Sequence, residues 1–368
     1  MFNIEEIDKN FKATPITQKD VVWHRVQQEP FSLHGIYYQT PQVENSLGCF
    51  MRFPKEVGTA CSPSIEWFSS VCTGGRIRFM TNSPYVAIKC VLTTQAPHRN
   101  SNFLGTHGFG VYANNVYRGS IAQADVLSKD SVDGLYAFEG VCGLPTQCLE
   151  EICITMPLYN KVRELYIGLK EGCSLQAALP YEHEKQVVFY GSSITQGGCA
   201  SHSGNEYENH LSRWLNTDYV NLGCSGNAKG EQAMAEYIAG LDNMSVLVMD
   251  YDYNAPNAEH LQETHYPFYE TVRKKHPKLP IIFISNANIE YIRDGEARRD
   301  VIIASYKKAK KNGDKNVWFI DGKKIYGKHG VSGRDCCTVD CIHPNDLGMY
   351  RIAQAVYPVL KKALKKSK

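Results

Sequence analysis

Up to about residue 180 the apolar positions fall in short runs, several of them alternating with polar ones. Residues 31–38, 64–68, 76–80, 85–92, 108–112 and 165–169 read as strands. Turn signals separate them: Thr73-Gly74-Gly75, Asn82-Ser83-Pro84 and Ala113-Asn114-Asn115. The pattern predicts an all-β sandwich of jelly-roll type. After Tyr181 the rhythm changes. Strand candidates at 187–190, 219–222, 246–249, 281–285 and 317–320 alternate with stretches of helical spacing at 205–215, 230–241, 260–275, 296–311 and 346–365. That alternation predicts a parallel sheet with helices on both faces, a three-layer α/β/α unit. The expected organisation is a sandwich domain over 1–180, a short linker at 180–184, and an α/β domain over 185–368.

A chain of 368 residues exceeds what one core usually supports, in agreement with two domains. The formal charge of +2 is nearly balanced. Basic residues are scattered apart from the tail 361–368, which reads as a solvated helix end, so no nucleic-acid surface is expected. No run of about 18 apolar residues predicts a membrane span. The first residues lack the basic and apolar regions of a secretory signal, so a cytoplasmic location is expected, although a removed signal would leave no trace. Thirteen cysteines, from Cys49 to Cys341, lack the spacing of a disulfide scaffold and read as mostly reduced, buried small hydrophobes. Cys336-Cys337 with Cys341 and His343 superficially resembles a metal cluster. Structural zinc takes closely spaced ligand pairs twice over, and no second pair lies nearby, so no metal is expected.

The chemistry gathers where the later strands end. The apolar run Val187-Val188-Phe189-Tyr190 stops at Gly191 and gives way to Ser192-Ser193. A serine at the carboxyl end of a core strand lies where open α/β sheets bind ligands, which makes Ser193 a candidate nucleophile. The next strand runs into Ser225-Gly226-Asn227, and Gly226 can present its backbone N–H to a cleft. The third runs into Asp252-Tyr253-Asn254, and Asn254 offers an amide donor that needs no change of protonation. Before the last helix stands Asp340-Cys341-Ile342-His343-Pro344. Pro344 is expected at the first helical position, with His343 just ahead of it. His343 can take a proton from Ser193, and Asp340 can hold the imidazole in the right tautomer. Taken singly, each has a plainer reading: a turn glycine, a helix cap, a surface carboxylate, a capping histidine. Their succession in order at the ends of core elements favours the catalytic one.

These four blocks resemble the SGNH (GDSL-type) hydrolase superfamily of esterases, lipases and carbohydrate deacetylases. Gly191-Ser192-Ser193-Ile194-Thr195 is similar to block I, Ser225-Gly226-Asn227 to block II, Asp252-Tyr253-Asn254 to block III and Asp340-Cys341-Ile342-His343 to block V. The resemblance implies Ser193, His343 and Asp340 as the triad. It implies an oxyanion hole from the N–H groups of Ser193 and Gly226 and the Asn254 side chain. Two positions depart from the pattern: Ser192 replaces the usual aspartate, and Asp252 the glycine of block III. The wording around Ser193 and Gly226 also resembles a two-domain bacterial branch whose N-terminal sandwich carries Gly-x-Asp-Leu-Tyr. Here Gly108-Phe109-Gly110-Val111-Tyr112 echoes that signature, with Gly110 in place of the aspartate.

The implied activity is hydrolysis of O-acyl esters through an acyl-serine, with O-acetyl groups on plant-type oligo- or polysaccharides as the expected substrate and no cofactor. Trp67, Phe68, Tyr112 and Tyr117 are candidates for stacking on sugar rings, with core or interface packing as the plainer reading. Two alternatives stay open: a short-chain or lipase-like hydrolase of non-sugar esters, and a catalytically inert carbohydrate-binding protein. A phosphate cradle after residue 190 is disfavoured, because the lysine of a P-loop and the spacing of a dinucleotide turn are both missing. The expected partner is a small-molecule or oligosaccharide ester, and a homo-oligomer stays open.

Overall fold

The computed structural model describes residues 7–8, 15–41, 46–93, 99–122, 134–145 and 148–367. Alternating apolar and polar positions in its first part build β1 (Val21–Arg25), β2 (Ser32–His34), β3 (Tyr37–Gln39), β4 (Cys49–Met51), β5 (Arg76–Thr81) and β6 (Tyr85–Thr93). They continue in β7 (Phe109–Ala113), β8 (Val116–Ile121), β9 (Leu135–Gly143), β10 (Glu150–Thr155), β11 (Val162–Lys170) and β12 (Leu175–Gln176). One antiparallel sheet has the order β1-β11-β6-β9 and a second the order β12-β5-β10-β7-β8, with β2 also on β5. Their inward side chains, among them Ile77, Phe79, Ile88, Phe109, Ile152 and Ile167, form one core. The Asn114-Asn115 pair takes φ of 48° and 64°, the left-handed geometry that a tight β7–β8 hairpin needs.

Two strand expectations change. The run 31–38 is split at Gly35, whose φ is 69°, and its two pieces pair with different partners, β2 with β5 and β3 with β4. A Cβ on Gly35 would sit 2.6 Å from the Gly74 carbonyl oxygen, so the chain turns where only glycine fits. Residues 64–68 are not a strand but part of a helix, α2 (Pro63–Phe68), which follows α1 (Lys55–Cys61). Ser62 caps α2 by accepting the Ile65 N–H, and Pro63 occupies its first turn. Ile65 and Phe68, three residues apart, then face inward together. A further short helix, α3 (Phe103–Thr106), precedes β7.

The second part is a parallel sheet of β13 (His183–Gly191), β14 (Thr217–Gly223), β15 (Met244–Asp250), β16 (Ile281–Ile284) and β17 (Val317–Ile320), ordered β14-β13-β15-β16-β17. Its helices are α4 (Tyr207–Leu215), α5 (Gln232–Ala239), α6 (Ala258–Lys275), α7 (Gly295–Lys311) and α8 (Asp346–Lys366). The strands are buried on both faces, as a covered parallel sheet requires. One face packs on Tyr207, Leu211, Met349, Ile352 and Val356 of α4 and α8. The other packs on residues of α5, α6 and α7 and also takes in Phe53, Ile65, Phe68 and Val71 from the N-terminal part. The two parts therefore share a core cluster. Because β14 and β15 flank β13 on opposite sides, a crevice opens at the carboxyl end of β13, the place where such sheets bind ligands.

Candidate active site

Ser193 follows β13 directly, in a turn built by its own neighbours. Ser192 accepts the Ile194 N–H on its hydroxyl at 3.1 Å and donates its own N–H to Asp250 O at 3.2 Å. A short hydroxyl thus closes the turn at the position where the family pattern has an aspartate. Ser193 is 4% exposed, yet its Oγ lies 2.9 Å from His343 Nε2. His343 Nδ1 lies 2.8 Å from Asp340 Oδ2, which puts the proton on Nδ1 and leaves Nε2 to accept from the serine. The structure therefore brings Ser193, His343 and Asp340 into one hydrogen-bonded chain.

The loop that carries Asp340 and His343 is closed by an antiparallel bridge between Thr338 and Pro344, and the Val339 N–H donates to His343 O at 3.0 Å. Inside it Asp340 Oδ1 accepts the N–H groups of Ile342 at 3.1 Å and His343 at 2.7 Å. Burial alone would raise the Asp340 carboxyl, but these bonds and the adjacent imidazole hold it below the usual carboxylate range. Pro344 is not the first helical residue. Asn345 caps α8 by accepting the Gly348 N–H, and Pro344 precedes the cap as a bridge residue. Cys341 takes φ of 67° at the tip of the loop, and its carbonyl accepts from Asn288 Nδ2 at 2.9 Å.

Gly226 and Asn254 sit beyond the ends of β14 and β15, flanking the turn that carries Ser193. Gly226 is exposed with φ of 65°, and a Cβ there would meet nothing within 4 Å. Asn254 is different. Its amide nitrogen donates to Cys224 O at 3.1 Å and also to Asn227 O. Both protons of that amide are spent on the 224–227 turn, so it reaches a substrate oxygen only by giving one of them up.

Several residues the sequence did not single out hold this framework. Gln196 joins the two turns, accepting the Ser225 N–H at 2.8 Å and donating to Leu158 O at 3.1 Å. Tyr159, between β10 and β11, is hydrogen bonded to Ser225 at 2.8 Å. Arg52, 3% exposed, donates to the carbonyls of Asn221 at 3.1 Å and Gly223 at 2.8 Å where β14 ends. Gln196 lies only three residues after Ser193, whereas Arg52 and Tyr159 reach the site across long stretches of sequence, so no local motif announces those two.

Behind the site two carboxyl groups are buried. Asp250 accepts from Tyr207 at 3.2 Å and Thr195 at 3.3 Å, and burial, reinforced by the Asp252 charge, pushes it up to about 7. Asp252, which stands where block III has glycine, accepts the Asn286 N–H at 2.8 Å and is pushed up by burial to about 6. Among the described residues no three histidine, cysteine or acidic side chains converge as a metal site would need. The thirteen cysteines are free, six buried, four half-buried and three exposed. Of the four candidate stacking aromatics, Phe68 and Tyr112 are buried, whereas Trp67 and Tyr117 are partly exposed. Lys161 lies over the Trp67 ring, and Tyr117 stacks on His202.

The model of the GDSL-like Lipase/Acylhydrolase family matches residues 184–361, and that of the N-terminus of Esterase_SGNH_hydro-type matches residues 21–175. The chain belongs to the SGNH (GDSL-type) hydrolase superfamily, in the branch that carries an N-terminal β-rich unit. A crystal structure described as a GDSL-like lipase from Bacteroides ovatus is 25% identical, with a TM-score of 0.78 over 94% of this chain and 98% of that one. A salicylyl-acyltransferase from a tetracycline biosynthetic pathway is 16% identical, with a TM-score of 0.74 over the same shares. A family two carbohydrate esterase from Clostridium thermocellum, seen with cellohexaose, is 13% identical, with a TM-score of 0.61 over 91% of this chain and 99% of that one. The last two share the fold. No curated protein sequence matches the chain. In this branch Gly110 departs from the named signature for a steric reason. Its N–H donates to Ser203 Oγ at 2.9 Å, and a Cβ would press on the Ser203 carbonyl oxygen and lie 2.5 Å from Thr155 Oγ1.

Proposed function

We propose that this SGNH hydrolase removes O-acyl groups, chiefly O-acetyl, from oligo- or polysaccharides through an acyl-serine intermediate. The observation that carries the chemistry is the continuous chain from Ser193 Oγ through His343 to Asp340. His343 takes the Ser193 proton as Oγ attacks the ester carbonyl, and the negative charge goes to the carbonyl oxygen. The N–H groups of Ser193 and Gly226 receive that oxygen, joined by the Asn254 amide once it releases one carbonyl of the 224–227 turn. His343 then protonates the leaving alkoxide. Water, deprotonated by the same imidazole, attacks the acyl-serine and releases the acid. In this reading Asp340 stays ionised and stabilises the imidazolium.

The sugar side of the reading is supported by architecture: carbohydrate esterases from Clostridium thermocellum and Cellvibrio japonicus share this two-part fold. The near-neutral charge suits an uncharged substrate. The test sets nitrophenyl acetate, butyrate and octanoate beside acetylated xylan and mannan oligosaccharides, with Ser193→Ala as the control. Release of acetate from the oligosaccharides that vanishes in the control is the expected result. Preference for octanoate without sugar deacetylation overturns the sugar reading. Absence of fluorophosphonate labelling at Ser193 overturns the hydrolytic one.

A further inference from the structure

Asp340 Oδ2 has two donors. One is His343 Nδ1; the other is Asn100 Nδ2, also at 2.8 Å, which belongs to the N-terminal part and stands 240 positions earlier. The opposite oxygen is filled by the N–H groups of Ile342 and His343. Four donors thus fix the carboxylate, and only Asn100 comes from outside its own loop. The stretch that carries Asn100 is itself anchored. Ser101 Oγ lies 3.8 Å from Cys199 Sγ, and Leu158 N donates to Gly105 O at 3.0 Å. Gly105 packs so closely on the Ser193 side of the site that a Cβ would lie 2.6 Å from the Ala200 carbonyl oxygen.

We propose that Asn100 is a positioning residue of the triad, so that the N-terminal part completes the catalytic centre of the esterase proposed above, on which this inference rests. The amide does two things. It stops the carboxylate from turning about its own axis, which would tilt the imidazole away from Ser193. It also places a positive dipole end on the oxygen that faces Nδ1, which moderates the pull of Asp340 on the imidazolium. The other titratable groups facing Asp340 are Tyr253 and Cys199. Both are pushed up by burial and by the Asp340 charge, Cys199 to about 11, so both stay neutral through the range in which an imidazole titrates.

The experiment uses the full chain with Asn100→Ala, Asn100→Asp and Asn100→Lys. Asn100 is exposed, so all three are expected to fold, with unchanged melting as the check. The alanine variant is expected to lose about 10-fold in kcat with KM little changed. Its acid limb in kcat/KM moves to higher pH, that of the aspartate variant moves further up, and that of the lysine variant moves down. A purely structural role would lower activity without this order of limbs. A second readout is the downfield proton resonance of His343 Nδ1, which is expected to shift in the variants whether or not esters turn over. If the wild type hydrolyses no ester but that resonance responds, the esterase reading fails and the placement of Asn100 stands. Unchanged limbs and an unchanged resonance in all three variants overturn the inference.

Discussion

Arg76 of β5 reaches across to Asp218 of β14, its Nη2 lying 2.6 Å from Asp218 Oδ1, with the Arg76 side chain 1% exposed and that of Asp218 8%. The same guanidinium donates to Tyr219 O at 3.0 Å and lies over the Tyr219 ring at 3.6 Å. An ion pair this deeply buried joins the antiparallel part to the edge of the parallel sheet. Removing one partner leaves the other charged and poorly solvated, which typically costs about 3–5 kcal/mol. Arg76→Leu is therefore expected to lower unfolding stability by that order, and Arg76→Leu with Asp218→Leu by clearly less, as read from denaturant melts. Equal losses in the single and double variants would refute the coupling.

The pair also sets a response to acid. Burial pushes the Asp218 carboxyl up, but His34, Arg76 and Gln186 outweigh it and hold the group down to about 2, below its ordinary 3.8. A depressed carboxyl stabilises the fold above its unfolded value, and that stability is lost as pH falls through the window from about 3.8 to about 2. Melting temperature in that window is expected to fall less steeply in Asp218→Asn than in the wild type.

Asp250 has the opposite sign. Its folded value of about 7 lies above the ordinary 3.8, so the folded chain holds a proton that the unfolded chain has lost. Stability is expected to decline as pH rises from about 3.8 to about 7, then level off. Asp250→Asn keeps an acceptor for Tyr207 and Thr195 and removes the titration. The variant should flatten that decline, leaving it more stable than the wild type above neutrality by on the order of a few kcal/mol. A melting profile that declines over this range as steeply as the wild type would place the titration elsewhere.

Asp340→Asn keeps the loop only with its oxygen on the Ile342 and His343 N–H groups, which turns the amide donor toward Nδ1 and favours the wrong imidazole tautomer. In a working triad this substitution lowers kcat by about 10⁴. The same order of loss is expected here against a nitrophenyl ester, with fluorophosphonate labelling of Ser193 slowed in proportion. Labelling at the wild-type rate would remove Asp340 from the triad.

Asn254→Ala probes a donor with two duties. Loss of an oxyanion donor typically costs about 10²–10³ in kcat. Because the amide also ties the carbonyls of Cys224 and Asn227, Asn254→Asp is the sharper variant: it keeps the size, loses the donors and repels both carbonyls. It is expected to be the slower of the two in kcat. If Asn254→Ala keeps wild-type kcat, the amide serves the turn alone.

Much of the frame could be read along the chain because its determinants are local. Buried parallel strands are continuous apolar runs, and their helices carry a separate period, so β13 to β17 and α4 to α8 follow from spacing. The helix α2 was hidden because five residues with three bulky apolar side chains, Ile65, Trp67 and Phe68, fit either period. Its start signal, Ser62-Pro63, lies just outside that run. The split at Gly35 depends on the Gly74 carbonyl, which approaches it from the far side of a turn.

The sequence by itself determined the order of the four blocks, the two parts and the candidates Ser193, Gly226, Asn254, Asp340 and His343. Each rests on residue types within a few positions of a strand or helix end. Only the tertiary structure decided that Ser193, His343 and Asp340 meet, across 150 positions between serine and histidine. It also decided that the Asn254 amide is occupied by the 224–227 turn, and that Asn100, Arg52 and Tyr159 of the N-terminal part hold the site. Hydrogen bonds between distant segments leave no periodicity behind; they exist only once sheet order and packing have fixed which ends lie side by side.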